Sequence, residues 1–239
     1  MRLSMDLSYG GFGAAVEGLS KAFIVAAAGA MMAMSGPASA QTDNFKDVKP
    51  IKLAVLGDSL TAGFGLPAPA AFPVRLQKAL ADKGIVADVH NAGVSGDTTT
   101  GGLARPDWSI PPGTEAVIVE LGANDALRGV DPQVARGALN DILNKLKARN
   151  IAVLLCGMYA PPNYGAEYTA KFNSIYPDLA KAHKVPLYPF FLDGVATEAK
   201  LTQPDGLHPT AAGVDVVVER ILPTVEAFLK DRASQLGKP

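Results

Sequence analysis

From Ile51 onward, short runs that are apolar at nearly every position alternate with longer stretches whose apolar residues recur every three to four positions. A run of five or six residues with no polar face fits a strand covered on both sides, and the periodic stretches between such runs supply the covering helices. Lys52 to Gly57 reads as the first buried strand, Val86 to His90 as the second, Ala116 to Leu121 as the third, Ile151 to Cys156 as the fourth and Pro186 to Pro189 as a short fifth. Phe72 to Lys83 reads as a helix with Val74, Leu76, Ala79 and Leu80 inward. Asp131 caps a second helix that runs to Arg149, with Pro132 in its first turn and Val134, Ile142, Leu143 and Leu146 on its apolar face. Glu167 to His183 reads as one further helix. Thr210 caps the last, whose Val214, Val217, Val218, Ile221, Val225 and Phe228 share a side, and in which Pro223 predicts a kink or a split. The expected architecture is α/β: a three-layer α/β/α sandwich on a five-stranded parallel sheet with the flavodoxin-like order 2-1-3-4-5.

The chain ahead of the first strand has a different character. Lys21 is followed by thirteen uncharged residues, Ala22 to Met34, and then by small residues ending in Ala38-Ser39-Ala40. This pattern predicts a secretory signal over residues 1 to 40 with cleavage after Ala40, since thirteen residues fall short of the roughly twenty needed to span a bilayer. The expected product is periplasmic or secreted, without a stable membrane anchor, and forms a single domain over residues 41 to 239, a length that supports one core. The first forty residues hold two basic and two acidic side chains, which leaves 20 Lys+Arg against 21 Asp+Glu. So balanced a charge argues against nucleic acid or an anionic membrane surface as partner. Cys156 is the only cysteine, so export brings no intramolecular disulfide. With no Cys/His cluster at metal-ligand spacing, no P-loop and no Gly-x-Gly-x-x-Gly after a strand, no metal and no cofactor is implied.

In open parallel sheets, sites lie beyond the carboxyl ends of the strands. Ser59 follows the first strand in Gly57-Asp58-Ser59-Leu60, Gly96 lies in the loop after the second, Asn124 follows the third in Gly122-Ala123-Asn124-Asp125, and Asp205-Gly206-Leu207-His208 follows the fifth. Four separate loops converge on one rim. A serine hydroxyl, an imidazole and a carboxylate three residues before that imidazole supply a nucleophile, a base and a group that orients the base. Ser59 would attack an acyl carbonyl while His208 takes its proton and Asp205 fixes the imidazole tautomer.

Taken singly, each piece has a plainer reading: Ser59 as a turn cap, Asn124-Asp125 and Asp205-Gly206 as turns. Asp58 is assigned to turn hydrogen bonding beside Ser59. The order and placement of the four pieces together favour catalysis. Of the three histidines, His90 is read as packing beneath the site and His183 as a helix-terminal, solvent-near side chain, which leaves His208 as the base. Cys156, at the end of an apolar strand, reads as a buried small hydrophobe.

These four blocks, in this order, resemble those of the SGNH/GDSL hydrolase superfamily, and within it the bacterial periplasmic thioesterase, arylesterase and lysophospholipase group. Gly101-Gly102-Leu103-Ala104-Arg105, Val119-Glu120-Leu121, Leu127-Arg128-Gly129, Pro162-Asn163-Tyr164-Gly165 and Ile175-Tyr176-Pro177 extend the resemblance over about Leu53 to Gly213. The α/β-hydrolase elbow Gly-x-Ser-x-Gly is absent, because Thr61 stands at its second glycine. The resemblance implies catalytic Ser59, Asp205 and His208, and an oxyanion hole made by the backbone N–H groups of Ser59 and Gly96 and the Asn124 amide. It implies a hydrolase of aryl esters, short to medium acyl esters, lysophospholipids or acyl thioesters, working through an acyl-enzyme on a small-molecule ester or lipid substrate. The segment after the fourth strand is expected to wall the acyl pocket through Tyr159, Pro162, Asn163 and Tyr164. A carbohydrate O-deacetylase and a non-catalytic periplasmic binding protein on the same fold are the alternatives. Oligomeric state is not legible in the sequence.

Overall fold

The computed structural model describes residues 49–238; the expected signal segment lies outside the described residues. The elements are, in order, β1 (Ile51–Gly57), α1 (Ser59–Ala62), a 3-10 turn (Ala68–Ala70), α2 (Phe72–Asp82), β2 (Ala87–Gly93), α3 (Thr99–Leu103), α4 (Pro106–Ser109), β3 (Ala116–Glu120), α5 (Ala123–Leu127), α6 (Pro132–Ala148), β4 (Ala152–Cys156), a 3-10 turn (Pro162–Tyr164), α7 (Ala166–Asn173), α8 (Ile175–His183), β5 (Leu187–Tyr188) and α9 (Ala211–Gln235). The strands form one parallel sheet in the order β2-β1-β3-β4-β5, as expected. Every residue of β3 is buried. Because successive side chains point to opposite faces, such a strand must be covered on both. The helices that cover the sheet pair off as α2 with α9 and α6 with α3 and α8.

The apolar arc of α6 shows why it lies where it does. Ala135, Ala138, Leu139, Ile142, Leu143 and Leu146 are all buried, a spacing of three and four that sets one stripe against the sheet. Each such leucine or isoleucine contributes about 1.5–3 kcal/mol by leaving water. Asp131 caps the helix by accepting from the Gln133 N–H at 2.9 Å. Thr210 does the same for α9, accepting from Gly213 N at 3.2 Å.

Several expectations are corrected. Val134 and Val74 are exposed rather than inward, since Val134 stands about 100° round the helix from the centre of the α6 stripe and Val74 nearly opposite the α2 stripe. The single helix expected over 167–183 is two, α7 and α8, meeting at Ser174. Pro177 carries no N–H and its ring excludes the carbonyl of Asn173, so the helix restarts there. In contrast, α9 passes Pro223 as one helix and is not split. His90 is exposed, not packed beneath the site, because β2 is an edge strand with one open face on which Asp88 is also exposed. Cys156 is buried as expected, and burial pushes its thiol pKa well up.

What positions the site is the register. Gly93 pairs with Gly57, Gly57 with Glu120, Glu120 with Cys156 and Cys156 with Tyr188, one row across all five strands. Each strand delivers its outgoing loop to the same level.

Candidate active site

At that level the chain leaves β1 through Gly57 and Asp58 and enters α1 at Ser59. The Asp58 carboxylate caps this one-turn helix, accepting from Leu60 N at 3.0 Å, so the turn role assigned to it is what the fold uses. Ser59 sits at the first helical position, where its N–H has no intrahelical acceptor. Its hydroxyl lies 2.9 Å from His208 Nε2. On the other side of the ring, His208 Nδ1 is 2.7 Å from Asp205 Oδ2. The second carboxylate oxygen, Oδ1, accepts from the backbone N–H groups of Leu207 at 2.9 Å and His208 at 3.0 Å. Those backbone donors, His208 first, and the imidazole hold the Asp205 carboxyl down at about 2. Asp205 is therefore ionised whenever the imidazole needs orienting, and its acceptor state puts the proton on Nδ1 and leaves Nε2 to accept from Ser59.

The loop bearing the histidine is fastened. The Gln203 N–H donates to His208 O at 2.7 Å, and its Nε2 donates to Phe64 O at 2.8 Å and Pro209 O at 2.9 Å. The Phe64 ring lies 4.6 Å from the imidazole, centroid to centroid. Neither Phe64 nor Gln203 was singled out from sequence, since nothing in a lone Phe or Gln signals a partner 139 residues away.

The loops after β2 and β3 meet beside Ser59. Gly96 is exposed with φ +86°, a conformation that favours glycine. Its carbonyl accepts from Arg128 Nη2 at 3.1 Å. Asn124 stands in the first turn of α5, two residues after Gly122, whose φ of +120° and place against the Tyr176 hydroxyl leave no room for a side chain. The Asn124 amide nitrogen donates to Asp97 O at 3.0 Å and, more weakly, to Asp58 Oδ2 at 3.3 Å, while its oxygen accepts from Arg128 Nη2 at 3.3 Å. The buried Asp125 carboxylate takes the N–H and hydroxyl of Thr99 at 2.8 and 2.7 Å, tying α3 to the same corner.

Near Ser59 lies a second carboxyl, named from sequence only as part of Val119-Glu120-Leu121 and given no role there. Glu120, at the end of β3, is buried; Thr61 Oγ1 donates to its Oε2 at 2.8 Å and Oε1 has no partner among the described residues. Burial, and then the neighbouring Asp58 charge, push its carboxyl well above the ordinary range, and burial lifts Asp58 to about 6. A glutamate closing an all-apolar strand was the available signal.

Ser59 and His208 open into a groove of about 430 Å³ walled by Leu60, Ala126, Leu127, Met158, Tyr159, Pro162, Phe190, Leu192, Ala196 and Leu207, among others. Tyr159 stacks on Phe190 with centroids 4.7 Å apart. Of the four residues expected to wall it, Tyr159 and Pro162 do so, while Asn163 and Tyr164 lie outside the lining. Tyr164 braces it from behind instead, its hydroxyl donating to Leu127 O at 2.9 Å. The contribution of Phe190, Leu192 and Ala196 follows from the rule that loops after strands carry the site, applied to β5. A larger hollow of about 700 Å³, between β4, Pro186 and the Pro223 stretch of α9, contains none of the motif residues. No group of His, Cys, Asp or Glu among the described residues is arranged to hold a metal.

Comparison with known proteins gives the family and the fold. Residues 55–216 match the GDSL-like lipase/acylhydrolase family. The chain is similar to "Esterase TesA" of Pseudomonas aeruginosa, 37% identical over 210 residues that cover 87% of this chain and 100% of that one. It is 43% identical over 166 residues to "Thioesterase 1/protease 1/lysophospholipase L1" of Escherichia coli K12, covering 66% and 74% of the two chains. Among solved structures, the SGNH-hydrolase family esterase AlinE4 superposes with a TM-score of 0.64 at 46% identity, covering 75% of this chain and 96% of its own. The chain belongs to the GDSL-like lipase/acylhydrolase family, on the SGNH hydrolase fold.

Proposed function

We propose that this protein is a secreted serine esterase that hydrolyses carboxylic esters or thioesters through an acyl-enzyme. The observation that carries the proposal is the continuous chain from Ser59 Oγ through the imidazole to Asp205, opening directly into an apolar groove. Ser59 Oγ attacks the substrate carbonyl as Nε2 of His208 removes its proton, and the anionic Asp205 stabilises the imidazolium that forms. Negative charge gathers on the carbonyl oxygen, met by the N–H groups of Ser59 and Gly96 and one N–H of Asn124. Of the two Asn124 bonds, the 3.3 Å one to Asp58 is the one that yields to substrate. Collapse of the tetrahedral intermediate expels the alcohol or thiol with the proton from Nε2, and water then enters by the same route, deprotonated by His208, to release the acid and restore Ser59.

A groove of this size and apolar character suits short to medium acyl chains, aryl esters and lysophospholipids. The same lining disfavours the carbohydrate deacetylase alternative, which needs a shallow polar site. An intact Ser-His-Asp chain gives the non-catalytic alternative no support. Residues 1–40 are proposed as an export signal and 41–239 as the single hydrolase domain, which N-terminal sequencing of exported protein would test by returning Gln41.

Hydrolysis of p-nitrophenyl esters from acetate to a long acyl chain, by the parent and by Ser59→Ala, tests the mechanism. The expected outcome is a rate that peaks at one chain length in the parent and falls by about 10³-fold or more in the variant. A variant as fast as the parent sinks the site assignment.

A further inference from the structure

The segment Gly101-Gly102-Leu103-Ala104-Arg105 has no part in the mechanism above, yet it ends in a buried arginine, 4% exposed. Arg105 uses all three of its nitrogens on three different segments. Nε donates to Asp97 Oδ2 at 2.6 Å, Nη1 to Ala92 O at 2.6 Å and Nη2 to Gly57 O at 2.7 Å. Gly57 leads into Asp58 and Ser59, Ala92 is the penultimate residue of β2, and Asp97 directly follows Gly96. The peptide carbonyl of Asp97 is in turn the acceptor that holds the Asn124 amide at 3.0 Å. One planar guanidinium therefore fixes the distance from the serine end of β1 to the loop that bears Gly96 and steers Asn124. A planar fork fixes directions as well as distances, which a lysine ammonium does not. Arg128, by comparison, is exposed and reaches Gly96 and Asn124 with a single nitrogen.

We propose that Arg105 and Asp97 are a positioning pair for the oxyanion hole, acting on turnover through the placement of Gly96 and Asn124 without touching substrate. The proposal rests on the reading of those two residues as oxyanion donors. It makes the charge on Asp97 part of the machinery, because the pair must hold its geometry as negative charge builds a few residues away, and an oxyanion donor displaced by even a fraction of its bond length loses much of its effect.

The test uses the mature protein with Asp97→Asn, Arg105→Lys and Asn124→Ala, each counted for active sites by a fluorophosphonate and assayed on p-nitrophenyl butyrate. Inhibition by an alkylboronic acid is measured in parallel, since its tetrahedral serine adduct places an anionic oxygen where the intermediate does. Asp97→Asn is expected to lower kcat per titrated site about 10- to 100-fold, with KM changed by no more than about twofold and boronate affinity reduced in step with kcat. Arg105→Lys is expected to do the same or more; should it fail to fold, Asp97→Asn still decides the matter. A lower melting temperature with kcat per site and boronate affinity both at parent values overturns the proposal and makes the pair structural. If Asn124→Ala also turns over at the parent rate, the donor assignment itself is wrong, and the positioning pair falls with it.

Discussion

Glu120 and Asp58 are two carboxyls buried side by side near a serine, with a single hydroxyl, a backbone N–H and an amide between them as neutral partners. Both fold with pKa values above their unfolded ones, Asp58 at about 6 against 3.8 and Glu120 well above 4.5. The folded state therefore binds protons more tightly than the unfolded chain, so this corner stabilises the protein most at low pH and loses that advantage as pH rises through those ranges. Glu120→Gln keeps the shape and the acceptor for Thr61 but cannot ionise. The variant is expected to show a flatter dependence of melting temperature on pH than the parent as pH rises above 4.5. Parallel curves for the two proteins would remove Glu120 as a source of pH dependence. Asp205 works in the opposite sense: its depressed pKa gives stability that is present above 3.8 and lost only as pH falls towards about 2.

At the scale of elements, the strands were legible because burial on both faces leaves no room for polar residues, and β1, β3 and β4 came out within a residue or two of their expected bounds. The helix faces were less so. Val134 and Val74 share the composition of inward residues and differ from them only in angle, which a list of apolar positions does not weigh. The catalytic candidates were legible as short motifs, each held by local hydrogen bonding such as the Asp205 turn. Gln203 and Phe64 were not, and Arg105 was legible only as part of a family motif without a role, since the distant partners that give them their roles, Gly57 in the case of Arg105, are known only once the sheet is assembled. Pro223 is the element-scale exception. It stands exposed inside a continuous α9, where proline costs about 3 kcal/mol relative to alanine, offset by roughly 0.4–1 kcal/mol from its stiffening of the unfolded chain. Pro223→Ala is thus expected to raise unfolding stability by about 2 kcal/mol, read from the urea midpoint. A lower midpoint would mean that the proline ring is needed where it packs.

For the molecule as a whole, the candidate catalytic end is defined by five loops rising from one register row, and the proposed acyl groove by what the β4 and β5 loops lay across the mouth. Ala196 lines that groove from the β5 side and leaves space in front of it. Ala196→Leu is expected to shift the ester preference to shorter acyl chains, with kcat/KM for the longest good substrate down about 10-fold or more and acetate nearly unchanged, since each methylene in such a pocket is worth about 10-fold or more. An unshifted profile would place the acyl chain elsewhere.

The partners in the 2.9 Å bond between serine and histidine are 149 residues apart, and the exposed Pro162–Tyr164 turn falls between them. A chain nicked there would divide into one piece carrying Ser59, Gly96 and Asn124 and another carrying Asp205 and His208, neither able to turn over ester. Mixed, they would regain activity only as β5 pairs with β4 and α9 docks on α2. Ester hydrolysis would then report fragment complementation, silent until β5 and α9 of the second piece have found the four strands and helices of the first.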